Sequence, residues 1–137
     1  MDKRINDKIT ELERYLDELV SIKSSTLDEY IADFKTKAAC ERYAEKIIEA
    51  FVDLAFLVIK DNDFDSPESD TNAFDILSNN KIISNELACK LQQAKGMRNI
   101  LAHEYGEVDD SIVFHAIDEE LVKDVRDFIA AVENSRK

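Results

Sequence analysis

The chain has few of the residues that interrupt helices. Its 137 residues include two glycines, one proline and no tryptophan. Glutamate, lysine, leucine, isoleucine and alanine, by contrast, are frequent, and most of them favour helices. A chain of this length can bury one core without disulfides or a metal. The composition therefore predicts a single all-α domain spanning residues 1–137.

Cysteines and long apolar runs are also scarce. Cys40 and Cys89 have no CxxC spacing, so we expect small core side chains in a reducing compartment and no zinc site. The longest apolar candidate, AFLVI at 55–59, is far too short to cross a bilayer. The N-terminal sequence MDKRINDKITELERYL lacks the apolar segment of a signal peptide. We therefore expect a cytoplasmic protein without membrane contact, metal or cofactor.

Positive charge is limited. There are 18 lysines and arginines against 30 aspartates and glutamates, giving a net charge of −12. This balance argues against a broad basic surface for nucleic acid, and no DNA partner is expected. Any site that handles phosphate must be small and locally positive, or assembled from more than one chain.

Apolar residues recur at three- and four-residue steps along most of the chain, which predicts a bundle of four or five amphipathic helices. Thr26 and Glu29 fit a capping box. The predicted helices cover about residues 3–23, 26–60 with a break near Phe34–Lys37, 71–79, 85–105 after an N-cap at Ser84, and the C-terminal part from Asp110–Ser111.

The second predicted helix carries a narrow polar line. Glu41, Glu45, Glu49 and Asp53 follow one another at steps of four, and almost every other residue from 44 to 59 is apolar. We interpret the acidic line as a solvated helix face. The rest of this helix must be covered, either by its own domain alone or also by a partner subunit.

One stretch, KGMRNILAHEYGEVDD, holds the candidate site residues Arg98, Asn99, His103 and Tyr105. Positions 99 and 103 share a helix face, as do 98 and 105. Arg98 and His103 lie about 140° apart on a regular helix, so they would meet only through the long arginine side chain, an irregular last turn, or two subunits.

Gly106 is well placed to end the helix that carries these residues. His103 would then lie in the last turn, where the carbonyl dipoles favour a protonated imidazole. In a purely structural interpretation this is a stabilised helix end with an exposed arginine. In a functional one, a guanidinium holds a phosphate and an imidazole removes the proton of a ribose 2′-OH, which suffices for RNA cleavage without a metal.

The segment RNILAHEY resembles the Arg-x4-His-x-Tyr motif of the HEPN superfamily, in the form found in HepT-like toxins. The resemblance implies an all-α HEPN-like bundle that forms a homodimer, with two motifs facing each other across a cleft. It further implies a metal-independent endoribonuclease in which Arg98 and His103 are catalytic and Asn99 supports them. A minimal nucleotidyltransferase antitoxin would neutralise this toxin by AMPylation of Tyr105.

Other interpretations remain open at this stage. The chain could be a non-catalytic homodimeric adaptor or a nucleotide-binding module that partners a nucleotidyltransferase. A structural bundle without a ligand would leave the clustered motif unexplained. His115 is expected to be a packing or surface residue. Arg42 and Tyr43 could line the same cleft, although nothing in their spacing shows it, and the sequence does not indicate which RNA is cut.

Overall fold

The structure, a computed structural model, describes residues 2–103 and 109–136, and at positions 100, 102 and 103 it describes the backbone alone. Helices are the only regular elements in these parts of the chain. The all-α prediction is therefore confirmed. The helices are α1 (Lys3–Ile22), α2 (Leu27–Ala32), α3 (Phe34–Asp61), α4 (Asp70–Asn79), α5 (Asn85–His103), α6 (Asp110–His115), a π-helical segment (Ala116–Leu121) and α7 (Val122–Ser135).

Helix starts follow the predicted caps. The Thr26 hydroxyl accepts from the Glu29 N–H at 3.2 Å, and the Ser84 hydroxyl accepts from the Leu87 N–H at 3.0 Å. The capping box differs from expectation in one bond, because the Glu29 carboxylate accepts from the N–H of Ser25 and not from that of Thr26. Short polar side chains thus satisfy amide groups that have no partner within the helix.

The break in the second predicted helix lies at Asp33, just before the expected position. Asp33 is the C-cap of α2 and the N-cap of α3, and its carboxylate accepts from the N–H groups of Lys35 and Thr36. A carboxylate that satisfies the first amides of a new helix favours a restart at that residue.

The core surrounds α3, which packs against α1, α2, α4, α5 and the π-helical segment. Phe51 of α3 lies at its centre with Phe74 of α4 and Phe128 of α7, all three fully buried. Their ring centroids are 5.7 to 6.5 Å apart in edge-on arrangements, a favoured geometry for aromatic pairs. Alpha-1 closes the core from the other side with an apolar stripe of Ile5, Ile9, Leu12, Leu16 and Leu19.

The C-terminal part is one continuous rod. The backbone is right-handed helical at both junctions, Ala116 and Val122, so α6, the π-helical segment and α7 run on without a break. Its apolar stripe consists of the buried residues Val113, Ile117, Leu121, Val125, Phe128 and Val132, while Phe114 is half-buried against the core. The wider π turn shifts which side chains face the core.

One of the two cysteines differs from the prediction. Cys40 is buried, as expected of a small core side chain, but Cys89 is exposed, so its assignment to the core was wrong. Cys89 lies on α5 between the buried Ala88 and the half-buried Lys90, on the face that turns away from the bundle. None of the helices in residues 2–103 and 109–136 is long and apolar enough to cross a membrane.

Candidate functional site

The helix that carries the candidate motif is fixed by its earlier turns. Leu91 of α5 is fully buried, and the Gln92 amide donates to the backbone oxygen of Thr71 and to the carboxylate of Asp75, both at 2.9 Å. These contacts join α5 to the start and middle of α4. Leu101, later on the same helix, is also buried, at 6 % exposure. Buried residues before and after Arg98 fix the helix at this point, and this defines the side of α5 on which Arg98 lies.

The Arg98 side chain extends from α5 to α3. Its Nη2 donates to Oε1 of Glu49 at 2.7 Å, and the two side chains are 32 % and 44 % exposed. The hydrogen bond with Glu49 raises the pKa of Arg98; partial burial opposes this, and the charges of Glu49, Glu45 and Asp70 add to it. This is a charge-assisted contact of the stronger kind.

A groove of about 360 Å³ lies beside this pair, between α3, α4 and α5. Its described lining includes two cations, Arg98 and Lys95, and three carboxylates, those of Glu49, Asp53 and Asp70. Lys95 also lies 3.8 Å from Asp70. The apolar part of the lining consists of Ile48, Val52 and Phe56. Among the described residues of a single chain, the arginine is thus locally neutralised and does not lie in a positive patch.

Sequence reasoning missed Glu49. The acidic line on α3 was interpreted as a solvated face, but each of its members has a cation within 4 Å, and the partners of Glu49 and Asp53 come from other helices. Lys8 of α1 pairs with Asp53 at 3.5 Å. The four-residue spacing marks these residues as one row, but no local signal indicates that Arg98 would reach Glu49.

The remaining motif residues are only partly described. Asn99 is exposed. His103 is the last described residue of α5, and Tyr105 and Gly106 lie outside the described residues. A pairing of Arg98 with His103 and an end of the helix at Gly106 therefore stay predictions.

The lesser candidates lie elsewhere. The Tyr43 hydroxyl donates to Glu18 of α1 at 3.1 Å, and its ring packs edge-on against Tyr15, so Tyr43 serves the α1–α3 contact. Arg42 is exposed and pairs with Glu45 at 3.3 Å on its own helix.

His115 is an exposed surface residue beside Glu119 and Glu120, in agreement with expectation. No three His, Cys, Asp or Glu side chains within 2–103 and 109–136 are grouped so that they could hold a metal ion.

Comparison with known proteins identifies the family. The profile of HepT-like ribonucleases matches residues 5–132, nearly the whole chain and the whole of its helical core. This chain belongs to the HepT-like ribonuclease family. The resemblance noted for the segment RNILAHEY is thereby confirmed at the level of the family.

Two curated relatives of the HepT-like chain are named nucleases. A tRNA nuclease HepT from Aphanizomenon flos-aquae is 33 % identical over 115 residues, which cover 82 % of this chain and 77 % of the relative. An mRNA nuclease HepT from Shewanella oneidensis is 25 % identical over 132 residues, which cover 96 % of this chain and 98 % of the relative. The two names specify different RNA targets, so the family name alone does not define a substrate.

Solved structures share the fold. A tri-AMPylated HEPN toxin of Shewanella oneidensis, in complex with its MNT antitoxin, superposes with a TM-score of 0.89 at 24 % identity and covers 98 % of this chain and 99 % of its own. The cytosolic protein YutE of Bacillus subtilis, of unknown function, superposes with a TM-score of 0.78 at 18 % identity, covering 96 % and 87 %. The HEPN-like bundle is therefore established for this chain.

Proposed function

We propose that this HepT-like chain is a metal-independent endoribonuclease and the toxin of a toxin–antitoxin pair. The observation that carries the proposal is the family match over residues 5–132 in a chain whose motif, Arg98, Asn99, His103 and Tyr105, is intact. The names of the two curated relatives support RNA as the substrate.

The chemistry follows from the two side chains. His103 takes the proton of a ribose 2′-OH, and the 2′ oxygen attacks the adjacent phosphorus. Arg98 stabilises the negative charge that develops on the phosphate oxygens. The 5′ oxygen leaves with a proton from a second acid, so the products are a 2′,3′-cyclic phosphate and a free 5′-hydroxyl. Asn99, which is exposed one residue after the arginine, supports substrate placement.

A homodimer fits this chemistry better than a single chain does. Arg98 is held towards α3 by Glu49, and a position five residues further on a regular helix lies about 140° around the axis. A second copy of the chain could place its own His103 opposite Arg98. Two facing motifs would also bring two arginines into one cleft on a protein of net charge −12, and one histidine could act as base while the other acts as acid.

We further propose regulation by AMPylation of Tyr105 in the cytoplasm, catalysed by a minimal nucleotidyltransferase antitoxin. The structural relative that carries three AMP units in complex with its MNT antitoxin supports this idea. An adenylate on Tyr105, two residues after His103, would bring a new phosphate close to Arg98 and compete with the substrate phosphate.

The test uses purified full-length protein with RNA and a chelator. We expect Arg98→Ala and His103→Ala to lower the cleavage rate by about a hundredfold or more. Matched controls are Arg126→Ala and His115→Ala, because both residues are exposed and their partners among the described residues are surface carboxylates. Full cleavage by either motif variant would refute the catalytic assignment, and a loss of activity in the chelator would refute metal independence.

Modification is tested separately. The chain is co-expressed with a neighbouring nucleotidyltransferase, and intact-mass spectrometry then counts the added AMP units. We expect additions on the wild-type chain and none on a Tyr105→Phe variant. An unmodified chain in cells that the transferase protects from growth arrest would contradict the regulatory proposal.

One observation favours a second candidate, a non-catalytic adaptor. Among the described residues of a single chain, the groove beside Arg98 has three carboxylates against two cations, which is unfavourable for a polyanion. An adaptor would show no growth arrest when it is expressed alone, whereas a toxin would arrest growth and lose this effect in the His103→Ala variant.

A further inference from the structure

We propose that Glu49 of α3 is a positioning residue for Arg98, which fixes the guanidinium to the core of the bundle and leaves part of it available to the substrate phosphate. This inference rests on the proposed ribonuclease function. It extends the candidate site from the motif on α5 to a residue 49 positions earlier in the chain.

The contact occupies only part of the guanidinium. Glu49 accepts from Nη2 alone, at 2.7 Å, and Nε of Arg98 is buried without an acceptor in the part of the chain that the structure describes. Nη1 makes no hydrogen bond to any described residue. Arginine presents five N–H donors in a planar fork, so one bond to a carboxylate leaves others for a phosphate.

Glu49 itself is placed rigidly. Its neighbours on α3, Ile48, Ala50 and Phe51, are all buried, with exposures of 2 % or less. The backbone at this position is therefore part of the core, and the carboxylate has a short, defined reach. A long arginine side chain on a solvent-facing helix would otherwise sample many rotamers, whereas a bond to a fixed partner selects one of them.

The other carboxylates of the groove are not equivalent to Glu49. Asp53 pairs with Lys8 at 3.5 Å and Asp70 with Lys95 at 3.8 Å, and both distances exceed that of the Arg98 contact. Asp53 lies one helical turn after Glu49 on the same helix and lines the same groove. It is therefore a matched control for the removal of negative charge.

The negative charge of Glu49 has a second effect. A carboxylate and a phosphate bind arginine with the same geometry, so the substrate must share the guanidinium with Glu49 or displace it. A glutamine at this position would keep an oxygen acceptor for Arg98 while removing the repulsion of the phosphate. An alanine would remove the acceptor as well. The two substitutions thus separate positioning from charge.

The experiment measures kcat and KM for RNA cleavage by full-length wild type, Glu49→Ala, Glu49→Gln and Asp53→Asn. We expect Glu49→Ala to lower kcat by about a hundredfold, since misplacement of a catalytic group has an effect of this size. Glu49→Gln should keep kcat close to wild type and lower KM. Asp53→Asn should also lower KM, because it removes a negative charge from the groove, but it should not reproduce the fall in kcat, because Arg98 keeps its acceptor. Thermal denaturation midpoints show that all four proteins are folded.

A spectroscopic readout accompanies the kinetics. The buried Nε–H of Arg98 is recorded by 1H–15N NMR without RNA and assigned with Arg98→Lys. We expect this signal to shift or broaden in Glu49→Ala and to stay in place in Asp53→Asn. An unchanged signal together with a wild-type kcat in Glu49→Ala overturns the inference alone, because the enzyme is then active without the contact. Absence of cleavage by the wild type overturns the proposed function instead.

Discussion

Glu49 and Phe51 lie two residues apart on α3 and face opposite ways. Phe51 is fully buried and packs against aromatic rings of α4 and α7, while Glu49 is 44 % exposed and reaches Arg98 of α5. The packing of Phe51 depends on many neighbouring side chains, whereas the contact of Glu49 depends on a single partner, Arg98. One helix therefore serves both stability and the candidate site, and the two roles should respond differently to substitution.

The inward face should show the largest effect on stability. We expect Phe51→Ala to lower the free energy of unfolding by about 3–5 kcal/mol, because it leaves a cavity among packed rings. Urea denaturation followed by circular dichroism measures this. Phe34→Ala is the control, since Phe34 is 74 % exposed and should change stability little. Equal losses in both variants would contradict the assignment of Phe51 to the core.

The outward face should show an effect on activity without one on stability. We expect Arg98→Lys to reduce RNA cleavage by about a hundredfold, because lysine keeps the charge but lacks the planar fork that can bind Glu49 and a phosphate together. The denaturation midpoint should stay close to that of the wild type. A variant that cleaves normally would mean that charge alone suffices at this position.

Asp124 of α7 is a buried carboxylate and tests how well the core tolerates charge. It is 5 % exposed, and burial raises its pKa above the ordinary value. The folded state then binds this proton more tightly than the unfolded chain, so wild-type stability should rise as the pH falls through the raised pKa.

We therefore expect Asp124→Asn to stabilise the protein at about pH 7 and the gain to shrink towards about pH 4. Denaturation of wild type and variant across this range measures the difference. A gain that grows on acidification would reverse the sign and contradict burial as the cause.

The smallest effect is expected where α3 meets α1. Tyr43→Phe removes the hydroxyl that donates to Glu18 at 3.1 Å but keeps the ring beside Tyr15. We expect a slightly lower denaturation midpoint and unchanged RNA cleavage. A clear loss of cleavage would instead assign Tyr43 to the proposed cleft.

Local features of the fold were predictable from sequence. The caps at Thr26 and Ser84 depend on residues within three positions, so short-range pattern reading found them. The exposure of Cys89 was not predictable in this way, because the turn of α5 that faces solvent depends on where α4 and α7 pack. The contact between Glu49 and Arg98 spans 49 residues of sequence and exists only once α3 and α5 are adjacent.

The candidate site was predictable in its motif and unpredictable in its surroundings. The spacing of Arg98, His103 and Tyr105 pointed to the family, because the motif fixes residue types at fixed intervals. The contact between Arg98 and Glu49 of α3 could not be predicted from the motif. An acidic row at four-residue steps has the same sequence pattern whether its carboxylates face water or pair with cations of other helices.

The π-helical segment at Ala116–Leu121 has a consequence for evolutionary comparison. The buried apolar residues from Val113 to Val125 follow one another at strict four-residue steps, which an ordinary α-helix would rotate out of line by about 40° per step. The π turn holds one more residue than an α turn, and this offsets the rotation. The segment therefore corresponds to a one-residue insertion in the helix. We expect homologues with a regular helix here to be one residue shorter, so an ungapped alignment would pair core positions with surface ones over the whole of α7.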